Sequence, residues 1–324
     1  MENRQMLAAQ VAAPDPDHPD RALAVGPCPT PADRPGHTRV ALRASALNMH
    51  DVWMLRGLAP SPSSGPRVLG SDGAGLTDDG REVIVYPVAL GAGPEHVTPL
   101  GTLLSDLGAG LLAEEAVVRS EHLVTKPAHL SWAEAAALPT SWLTAYRMLF
   151  TQGRLDAGST LLVQGAGGGV ATAALALGRA VGATVMVTSR SAEKRERALA
   201  LGADHVVATG ERLPALADVV IDAVGPATFE HSIAATAVGG RVVTCGSATG
   251  FVAPLNLARL FAREITVHGS TMGTFEEFTA LVGLVDRYRL RPEVDSTLPL
   301  ERLDEQVRRM VEGDAFGKLC VALG

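Results

Sequence analysis

Short runs of alternating polar and apolar residues, separated by turn residues, fill the first 125 positions of the chain. Alternation with a period of two is typical of a β-strand with one buried face. Four such runs are Thr38–Arg43, Arg81–Tyr86, 114–118 and 123–126. This part of the chain is therefore predicted to be mainly β. Residues 87–110 are rich in Gly and Pro, and we expect them to form a mobile loop that could serve as a lid.

The periodicity changes after residue 130. Ser131 and Glu134 have the spacing of a helical capping box, and a second helix is expected at 140–152. Strand-like runs then follow at 160–164, 183–188, 205–208, 218–222, 241–245 and 265–268, with helical patterns at 168–181, 192–201 and 227–237. Such alternation predicts a six-stranded parallel sheet wound on both faces. The last stretch is expected to hold helices at 274–288 and 301–312 and a strand at 318–322.

Composition narrows the class of protein. A chain of 324 residues is longer than one hydrophobic core usually serves, so two domains are expected. The net charge of −7 and the lack of a long basic stretch argue against nucleic-acid binding. The first residues lack the apolar core of a signal peptide, and no charge-free apolar run is long enough to span a membrane. We therefore expect a cytoplasmic protein with no membrane partner.

The clearest local motif is the glycine-rich turn after the strand at 160–164. Glycine lets the backbone turn tightly and approach a pyrophosphate, and the free N–H groups of the following helix receive the negative charge. Ala171 stands where the usual pattern has its third glycine, an accepted variant. The residues expected to bind the pyrophosphate are Gly165, Gly167, Gly168, Gly169 and Val170.

The end of the next strand indicates which dinucleotide is bound. An NAD site places a carboxylate there for the ribose hydroxyls, whereas Ser189, Arg190 and Lys194 offer hydroxyl and cationic groups that suit a 2′-phosphate. The cofactor is therefore expected to be NADP(H). The competing interpretation is a solvated helix start with Ser191 as its N-cap.

Several motifs together resemble the medium-chain dehydrogenase/reductase superfamily, in particular its zinc-free quinone-oxidoreductase-like branch. They are Ala46–Trp53, Leu69–Gly75, Ala135–Pro139, Leu143–Tyr146, the glycine-rich turn, Val219–Gly225, Gly239–Val243, Gly269–Gly273 and Phe316–Lys318. The resemblance implies an α/β protein with a GroES-like, mainly β catalytic domain and a doubly wound, six-stranded parallel Rossmann domain. The expected boundaries are 1–127 for the catalytic domain, 128–270 for the NADP(H)-binding domain, and 271–324 for a segment returning to the catalytic domain.

The resemblance also implies positions for cofactor contacts. Thr144 would lie near the nicotinamide. The strand ends that would line the cofactor groove carry Val224, Gly225, Cys245, Gly246, Ser270 and Thr271. The alternative for these strand ends is that they are ordinary glycine turns.

Zinc ligands are missing at the positions where zinc-dependent relatives carry them. Those relatives have Cys where Asn48 stands, Gly-His-Glu where Gly70–Asp72 stands, and a four-cysteine lobe in the region of 87–110. Catalytic zinc needs about three ligands from His, Cys or carboxylate groups. No metal site is therefore expected. The three cysteines, Cys28, Cys245 and Cys320, are widely spaced and suggest neither a metal cluster nor a disulfide framework.

The candidate catalytic residues are Asn48, His50 and Trp53. His50 aligns with a proton-relay position of the zinc enzymes, but a surface histidine beside a turn is the preferred interpretation of a lone histidine. Solvent could then supply the proton to a quinone. Trp53 stands where many quinone reductases have a substrate-contacting Tyr. Asp51 and Asp72 are interpreted as carboxylates that accept hydrogen bonds from backbone at turns, in preference to an acid–base pair.

The expected function is NADPH-dependent, zinc-independent hydride transfer to a small quinone or α,β-unsaturated carbonyl. The alternatives are a zinc-free reductase or dehydrogenase of another carbonyl or alcohol in a biosynthetic pathway, and a non-catalytic NADPH-binding protein. A homodimer is implied by the resemblance.

Overall fold

A computed structural model of the chain describes residues 4–59, 67–89 and 101–324. The chain divides into two compact units, the first formed by Met1–Thr140 with Thr274–Gly324 and the second by Ser141–Gly273. The domain boundaries expected from the sequence, at 127 and 270, stay a prediction. Residues 90–100, the centre of the expected lid, lie outside the described residues.

The described regular elements are as follows. The strands are β1 (Gln5–Val11), β2 (Leu23–Pro29), β3 (His37–Ala46), β4 (Asp72–Thr77), β5 (Glu82–Val85), β6 (Glu115–Arg119), β7 (Leu123–Thr125), β8 (Thr160–Gln164), β9 (Thr184–Thr188), β10 (His205–Val207), β11 (Ala217–Asp222), β12 (Thr236–Thr244), β13 (Thr266–Gly269), β14 (Val294–Pro299) and β15 (Lys318–Ala322). The α-helices are α1 (Met49–Leu55), α2 (Trp132–Ala136), α3 (Leu143–Tyr146), α4 (Gly169–Ala180), α5 (Ala192–Ala200), α6 (Pro226–Ala235), α7 (Leu257–Ala262), α8 (Phe275–Arg287) and α9 (Leu303–Glu312).

The first unit is built mainly of strands, as the sequence predicted. Its larger sheet has the order β14-β15-β3-β4-β5-β7, and β6 also pairs with β3. β14 and β15 are parallel, while the other pairs are antiparallel. β1 and β2 form a separate antiparallel pair. The sheet encloses an aliphatic core in which fully buried Leu42, Leu47 and Leu55 pack with Leu303 and Val307 of α9.

β4 was not predicted, and its glycines explain why. A Cβ atom at Gly75 would lie 2.2 Å from Ala41 O on the neighbouring strand, so only glycine permits this close pairing. The strand therefore lacks the alternating bulky residues that identify a strand in sequence.

The second unit is a six-stranded parallel sheet in the order β10-β9-β8-β11-β12-β13. The order reverses at β8, which is the doubly wound arrangement predicted from the alternating pattern. Helices α4, α5 and α6 connect successive strands. Leu161, Leu162 and Val163 on the central strand are fully or almost fully buried, as expected for a strand covered on both faces.

Two details of the second unit differ from the sequence prediction. The helix expected at 140–152 consists of α3 between two wider π-helical segments, Leu138–Trp142 and Arg147–Gln152. α7 was not predicted, because its apolar Leu257 and Phe261 are exposed and give no buried face. None of the described helices has the length and apolar character needed to cross a membrane.

Candidate functional site

The turn after β8 brings the backbone to the start of a helix. Gly165 and Gly167 adopt positive φ angles of 79° and 110°, which L-amino acids with side chains rarely adopt. Gly168 is the N-cap of α4, and no described atom lies within 4 Å of a Cβ placed there. The N–H groups of the first helical turn have no intrahelical acceptors, so this open turn offers donors to an anion.

Close packing holds α4 against the sheet. A Cβ at Gly178 would lie 2.7 Å from Leu161 Cδ2, so this glycine lets the helix approach β8. The backbone N–H of Ala166 donates to Thr188 O at 2.7 Å, which ties the glycine turn to the end of β9. The turn is therefore fixed at the carboxyl end of two adjacent strands.

The turn after β9 carries the predicted phosphate-binding cations. Ser189 is buried, Arg190 is exposed, and Ser191 Oγ accepts a hydrogen bond from Lys194 N at the start of α5. Arg195 Nη1 donates a hydrogen bond to Ser189 O at 2.6 Å, which links α5 to this turn. The N-cap role considered for Ser191 in the sequence is confirmed. The Arg190 side chain, next to buried Ser189 in the chain, is exposed.

Asp222 fixes the third turn, after β11. It is fully buried, and Oδ1 accepts hydrogen bonds from the backbone N–H of Val224 and of Gly225, both at 3.0 Å. Its other oxygen accepts from the hydroxyls of Thr228 and Ser232. Four donors thus compensate the buried charge. The carboxylate holds Val224 so close to the glycine turn that a Cβ at Gly165 would lie 2.6 Å from Val224 Cγ2.

The segment after β12 continues the same edge. A Cβ at Gly246 would lie 2.3 Å from Ala223 O, so glycine is required where the two strand ends meet. Burial, and to a smaller extent the charge of Asp222, raises the pKa of the Cys245 thiol to about 12. Cys245 is therefore a neutral group at this edge and not a thiolate nucleophile.

The end of β13 brings Thr144 next to the predicted groove residues. Thr144 Oγ1 lies 3.8 Å from Met272 Sδ, and Met272 has an unusual φ of 40°. Ser270 Oγ is buried and has no hydrogen-bond partner among the described residues, while Thr271 is exposed. A buried hydroxyl without a partner costs free energy unless another molecule supplies one.

These residues fit a dinucleotide cofactor. The open glycine turn, the unpartnered hydroxyl of Ser270 and the cations after β9 lie at the carboxyl ends of strands in one parallel sheet, where such sheets bind ligands. All the residues for which cofactor contacts were predicted from the sequence lie in the second unit.

The first unit holds a separate buried polar network around Lys318. Its Nζ donates to Leu47 O at 2.9 Å, Asn48 Oδ1 at 2.7 Å and Asp72 Oδ2 at 2.9 Å. Asn48 Nδ2 donates to the same Asp72 oxygen, so both ends of the Asn48 amide are engaged within the network. Asp72 Oδ1 accepts from Thr140 N.

Asp51 lies beside this network and plays the backbone-binding role predicted for it. Its two oxygens accept from the N–H groups of Asn48 and Gly70. Burial raises the pKa of Asp51, although these donors and nearby His50 act in the opposite direction.

Zinc does not fit this donor set. Asn48 stands at the position of the missing Cys ligand. Its amide oxygen and the Oδ2 atom of Asp72 both accept hydrogen bonds from the Lys318 ammonium. Ser71 Oγ is bonded to Ser105 Oγ at 3.1 Å. Within residues 4–59, 67–89 and 101–324, no group of three or more His, Cys, Asp or Glu side chains could hold a metal ion. A zinc ion bound to the Asn48 or Asp72 oxygen would lie close to the Lys318 ammonium, and the two cations would repel each other.

His50 and Trp53 lie on α1, with their rings 6.4 Å apart in an edge-to-face arrangement. His50 Nε2 is 2.7 Å from Asp106 Oδ1. Asp106 belongs to a short 3₁₀ turn, Ser105–Leu107, and its other oxygen accepts from Leu103 N at 2.8 Å. His50 is therefore a paired histidine, and not a free surface side chain beside a turn.

Sequence reasoning missed three of these residues as parts of the site: Asp106, Asp222 and Lys318. The role of Asp222 could have been predicted from the sequence. An acidic residue that ends a buried strand before a Val-Gly-Pro turn often accepts hydrogen bonds from backbone N–H groups. Asp106 and Lys318 lie 56 and 270 positions from His50 and Asn48, their respective partners, and no local pattern links them.

Comparison with known proteins finds similarity to dehydrogenases. A family model described as zinc-binding dehydrogenase matches residues 169–287. A zinc-type alcohol dehydrogenase-like protein of Schizosaccharomyces pombe is 32% identical over 322 residues, covering 89% of this chain and 91% of the relative.

Two solved structures are similar over nearly the whole chain. A crystal structure of an NAD-dependent alcohol dehydrogenase has a TM-score of 0.90 and 33% identity, covering 98% of this chain and 100% of the other. The 2-octenoyl-CoA carboxylase reductase CinF, in complex with NADP and 2-octenoyl-CoA, has a TM-score of 0.88 and 26% identity, covering 98% of this chain and 88% of the other.

Proposed function

This chain belongs to the medium-chain dehydrogenase/reductase superfamily and is an oxidoreductase, and we propose that it reduces a small quinone or α,β-unsaturated carbonyl with NADPH and without zinc. The observation that carries the proposal is the edge of the second unit's sheet. There an open glycine turn follows β8, two cations follow the adjacent β9, and a buried hydroxyl without a partner among the described residues follows β13 of the same sheet.

NADPH is preferred over NADH in this proposal because of the turn after β9. Arg190 and Lys194 supply positive charge and Ser189 a hydroxyl, whereas a carboxylate at this turn would repel a 2′-phosphate. The nearest acid in sequence, Glu193, is exposed in the first turn of α5. The relative CinF is recorded with NADP, and the relative alcohol dehydrogenase as NAD-dependent, so the choice rests on this turn.

The remaining groups of the edge bind and orient the cofactor. The first turn of α4 receives the pyrophosphate on its N–H groups, and Asp222 holds Val224 and Gly225 in the shape of the groove. Ser270 donates its free hydroxyl, and Thr144 lies beside Met272 at the nicotinamide end. When bound, the cofactor supplies a hydride ion to the acceptor.

The network around Lys318 supports zinc independence. The oxygens of Asn48 and Asp72 are bonded to an ammonium and are not free to hold a metal ion that would polarise a substrate carbonyl. An acceptor that needs no Lewis acid suits this site, and quinones and enones are of that kind because conjugation spreads the added charge. CinF, which is recorded with the α,β-unsaturated thioester 2-octenoyl-CoA, agrees with this choice.

His50 is the group proposed to deliver a proton after conjugate reduction, with Trp53 beside it as an apolar wall for the acceptor. A quinone acceptor takes its protons from solvent and has no need of His50. Asn48 is proposed to keep this region in register, since its amide is bonded to both Lys318 and Asp72.

An acceptor screen tests the proposal. Purified protein with NADPH is offered quinones, enones, enoyl thioesters and aldehydes, and the fall in NADPH absorbance is followed. Turnover of quinones or conjugated carbonyls is the expected result. Turnover of aldehydes or alcohols alone would favour the second candidate, a zinc-free dehydrogenase, which the similarity to the alcohol dehydrogenase supports. Tight NADPH binding with no turnover would favour a non-catalytic binding protein.

A homodimer is part of the proposal. Among the described strands, β13 pairs with β12 alone, and the chain segments before it carry exposed apolar side chains at Val238, Phe251, Val252, Leu257 and Phe261. A second copy of the chain that adds its own β13 would cover this surface. Light scattering should give about twice the 33.6 kDa of the chain, and Phe261→Asp should lower it to that of a monomer.

A further inference from the structure

The pairing of Asp106 with His50 has the geometry of a carboxylate–imidazole dyad. The Asp106 side chain is 2% exposed and that of His50 is 18% exposed. Asp106 Oδ2 accepts from the backbone of Leu103, so the carboxylate is anchored from the loop side, and Oδ1 is left for the imidazole. A buried carboxylate of this kind needs a donor on each oxygen.

This arrangement decides which nitrogen of His50 carries the exchangeable proton. A carboxylate can only accept, so Nε2 must carry the hydrogen of the 2.7 Å bond whether the ring is neutral or charged. Nδ1 is then the nitrogen that gains and loses a proton, and no hydrogen bond joins it to the described residues. The His50 side chain keeps some exposure, and Nδ1 has no hydrogen bond to the described residues that would compete with a substrate.

The charges around the ring favour its protonated form. Burial, the largest single influence, favours the neutral imidazole, but the hydrogen bond and charge of Asp106 and the charge of Asp51 outweigh it and raise the pKa of His50. Asp106 acts from the 3₁₀ turn and Asp51 from α1 itself. A raised pKa lets His50 keep its proton to higher pH, as a proton donor requires.

We propose that Asp106 is a positioning residue, which fixes the His50 ring so that Nδ1–H protonates the reduced substrate. The inference rests on the proposed function. A conjugate reduction leaves an enolate that has gained two electrons and one hydrogen and lacks one proton at its α-carbon. Transfer from Nδ1 forms the new C–H bond and leaves neutral His50, still bonded to Asp106 through Nε2–H. Solvent water then restores the proton.

Nuclear magnetic resonance of the ring tests the positioning without any turnover. In wild-type protein, ¹⁵N shifts of His50 should show the Nε2–H form when the ring is neutral, with a pKa above that of free histidine. Asp106→Asn should lower that pKa and mix the two tautomers. Asp295→Asn is the matched control, because Asp295 likewise accepts from a backbone N–H, that of Phe316, and pairs with a cation, Arg309. It should leave the His50 ring unchanged.

Kinetics test the donor role. Asp106→Asn should lower kcat for an enone by at least about tenfold, with little change in KM, and His50→Gln by about 100-fold. The double variant should be no slower than His50→Gln, since Asp106 acts only through His50. The alkaline limb of the enone pH profile should move to lower pH in Asp106→Asn. Quinone reduction should change little in any of them.

The outcomes distinguish the positioning role of Asp106 from the proposed function. An unshifted His50 titration in Asp106→Asn, or a double variant whose loss is the product of the two single losses, overturns the positioning role. Wild-type protein that turns over no acceptor overturns the proposed function and the donor role with it, while the ring titration still decides whether Asp106 sets the state of His50.

Discussion

Lys318 Nζ lies 2.9 Å from Asp72 Oδ2, with the two side chains 4% and 0% exposed. The pair joins β15, at the end of the chain, to the start of β4. The Lys318 ammonium has three oxygen acceptors and Asp72 has three donors, which is the condition under which a buried ion pair is tolerated. The network fixes Asn48, and with it the start of α1, on which His50 and Trp53 lie.

Removal of the Lys318 charge should therefore destabilise the protein strongly. Lys318→Met leaves the Asp72 carboxylate buried without its cation, and the free energy of unfolding should fall by about 3–5 kcal/mol in urea denaturation. Lys126→Met is the matched control, because its partner Glu82 is 49% exposed and water can solvate the remaining charge. Adding Asp72→Asn to Lys318→Met should recover part of the loss. Equal losses for the two lysines would contradict this account of the network.

Gly168 and Gly165 should respond differently to alanine. Gly168 has a negative φ of −72° and open space around it, so Gly168→Ala should shift Tm by no more than about 2 °C. The added methyl group would stand where the pyrophosphate approaches, and nucleotide affinity should fall at least about tenfold.

Gly165→Ala strains a positive φ, and its Cβ would contact Val224, so this variant should also lower the free energy of unfolding by about 1–3 kcal/mol. Calorimetry and thermal melts measure both effects. Unchanged affinity in Gly168→Ala would contradict the placement of the pyrophosphate.

Ser270→Ala removes a buried hydroxyl that has no partner within the described structure. Stability of the protein without nucleotide should stay the same or rise slightly, because an unsatisfied polar group is lost. Nucleotide affinity should fall by roughly 2- to 12-fold, the value of one hydrogen bond of about 0.5–1.5 kcal/mol. Thr140→Val, which removes another buried unpartnered hydroxyl, is the control and should leave the affinity unchanged. Parallel losses in the two variants would argue against a nucleotide contact at Ser270.

The three thiols should be unreactive in the folded protein. Burial raises the pKa of Cys28, and it raises those of Cys245 and Cys320 to about 12, so none is a thiolate at pH 8. Mass spectrometry after a brief iodoacetamide treatment at pH 8 should find no adduct on native protein and three on protein unfolded in guanidinium. Rapid labelling of Cys245 in the native state would mean that its surroundings differ from those described.

Much of the second unit was readable from the sequence because its elements are local. The β8 strand, the glycine turn and α4 follow one another within about twenty residues, and apolar runs marked five further strands to within a few positions, although β12 begins five residues earlier than predicted. The first unit was harder to predict. β4 owes its place to glycine contacts across strands, and β14 is a largely polar strand at the edge of its sheet.

The polar partners of the candidate catalytic residues were beyond sequence reasoning. Lys318 follows Asp72 by 246 positions, and Asp106 follows His50 by 56. The members of each pair lie close together because distant segments of the chain fold into the same unit. The residue type alone does not predict a hydrogen-bond partner so far away in sequence. The interpretation of His50 as a lone surface histidine failed for this reason.

The preference for NADPH tests the central claim most directly. Isothermal titration of the wild-type protein with NADPH and with NADH should show tighter binding of NADPH by at least about tenfold, since a charged hydrogen bond to a phosphate is worth about 1.5–3 kcal/mol. In the Arg190→Ala, Lys194→Ala double variant the two affinities should become nearly equal, through loss of NADPH affinity alone. No heat with either nucleotide, or a preference for NADPH that survives the double substitution unchanged, would contradict the account.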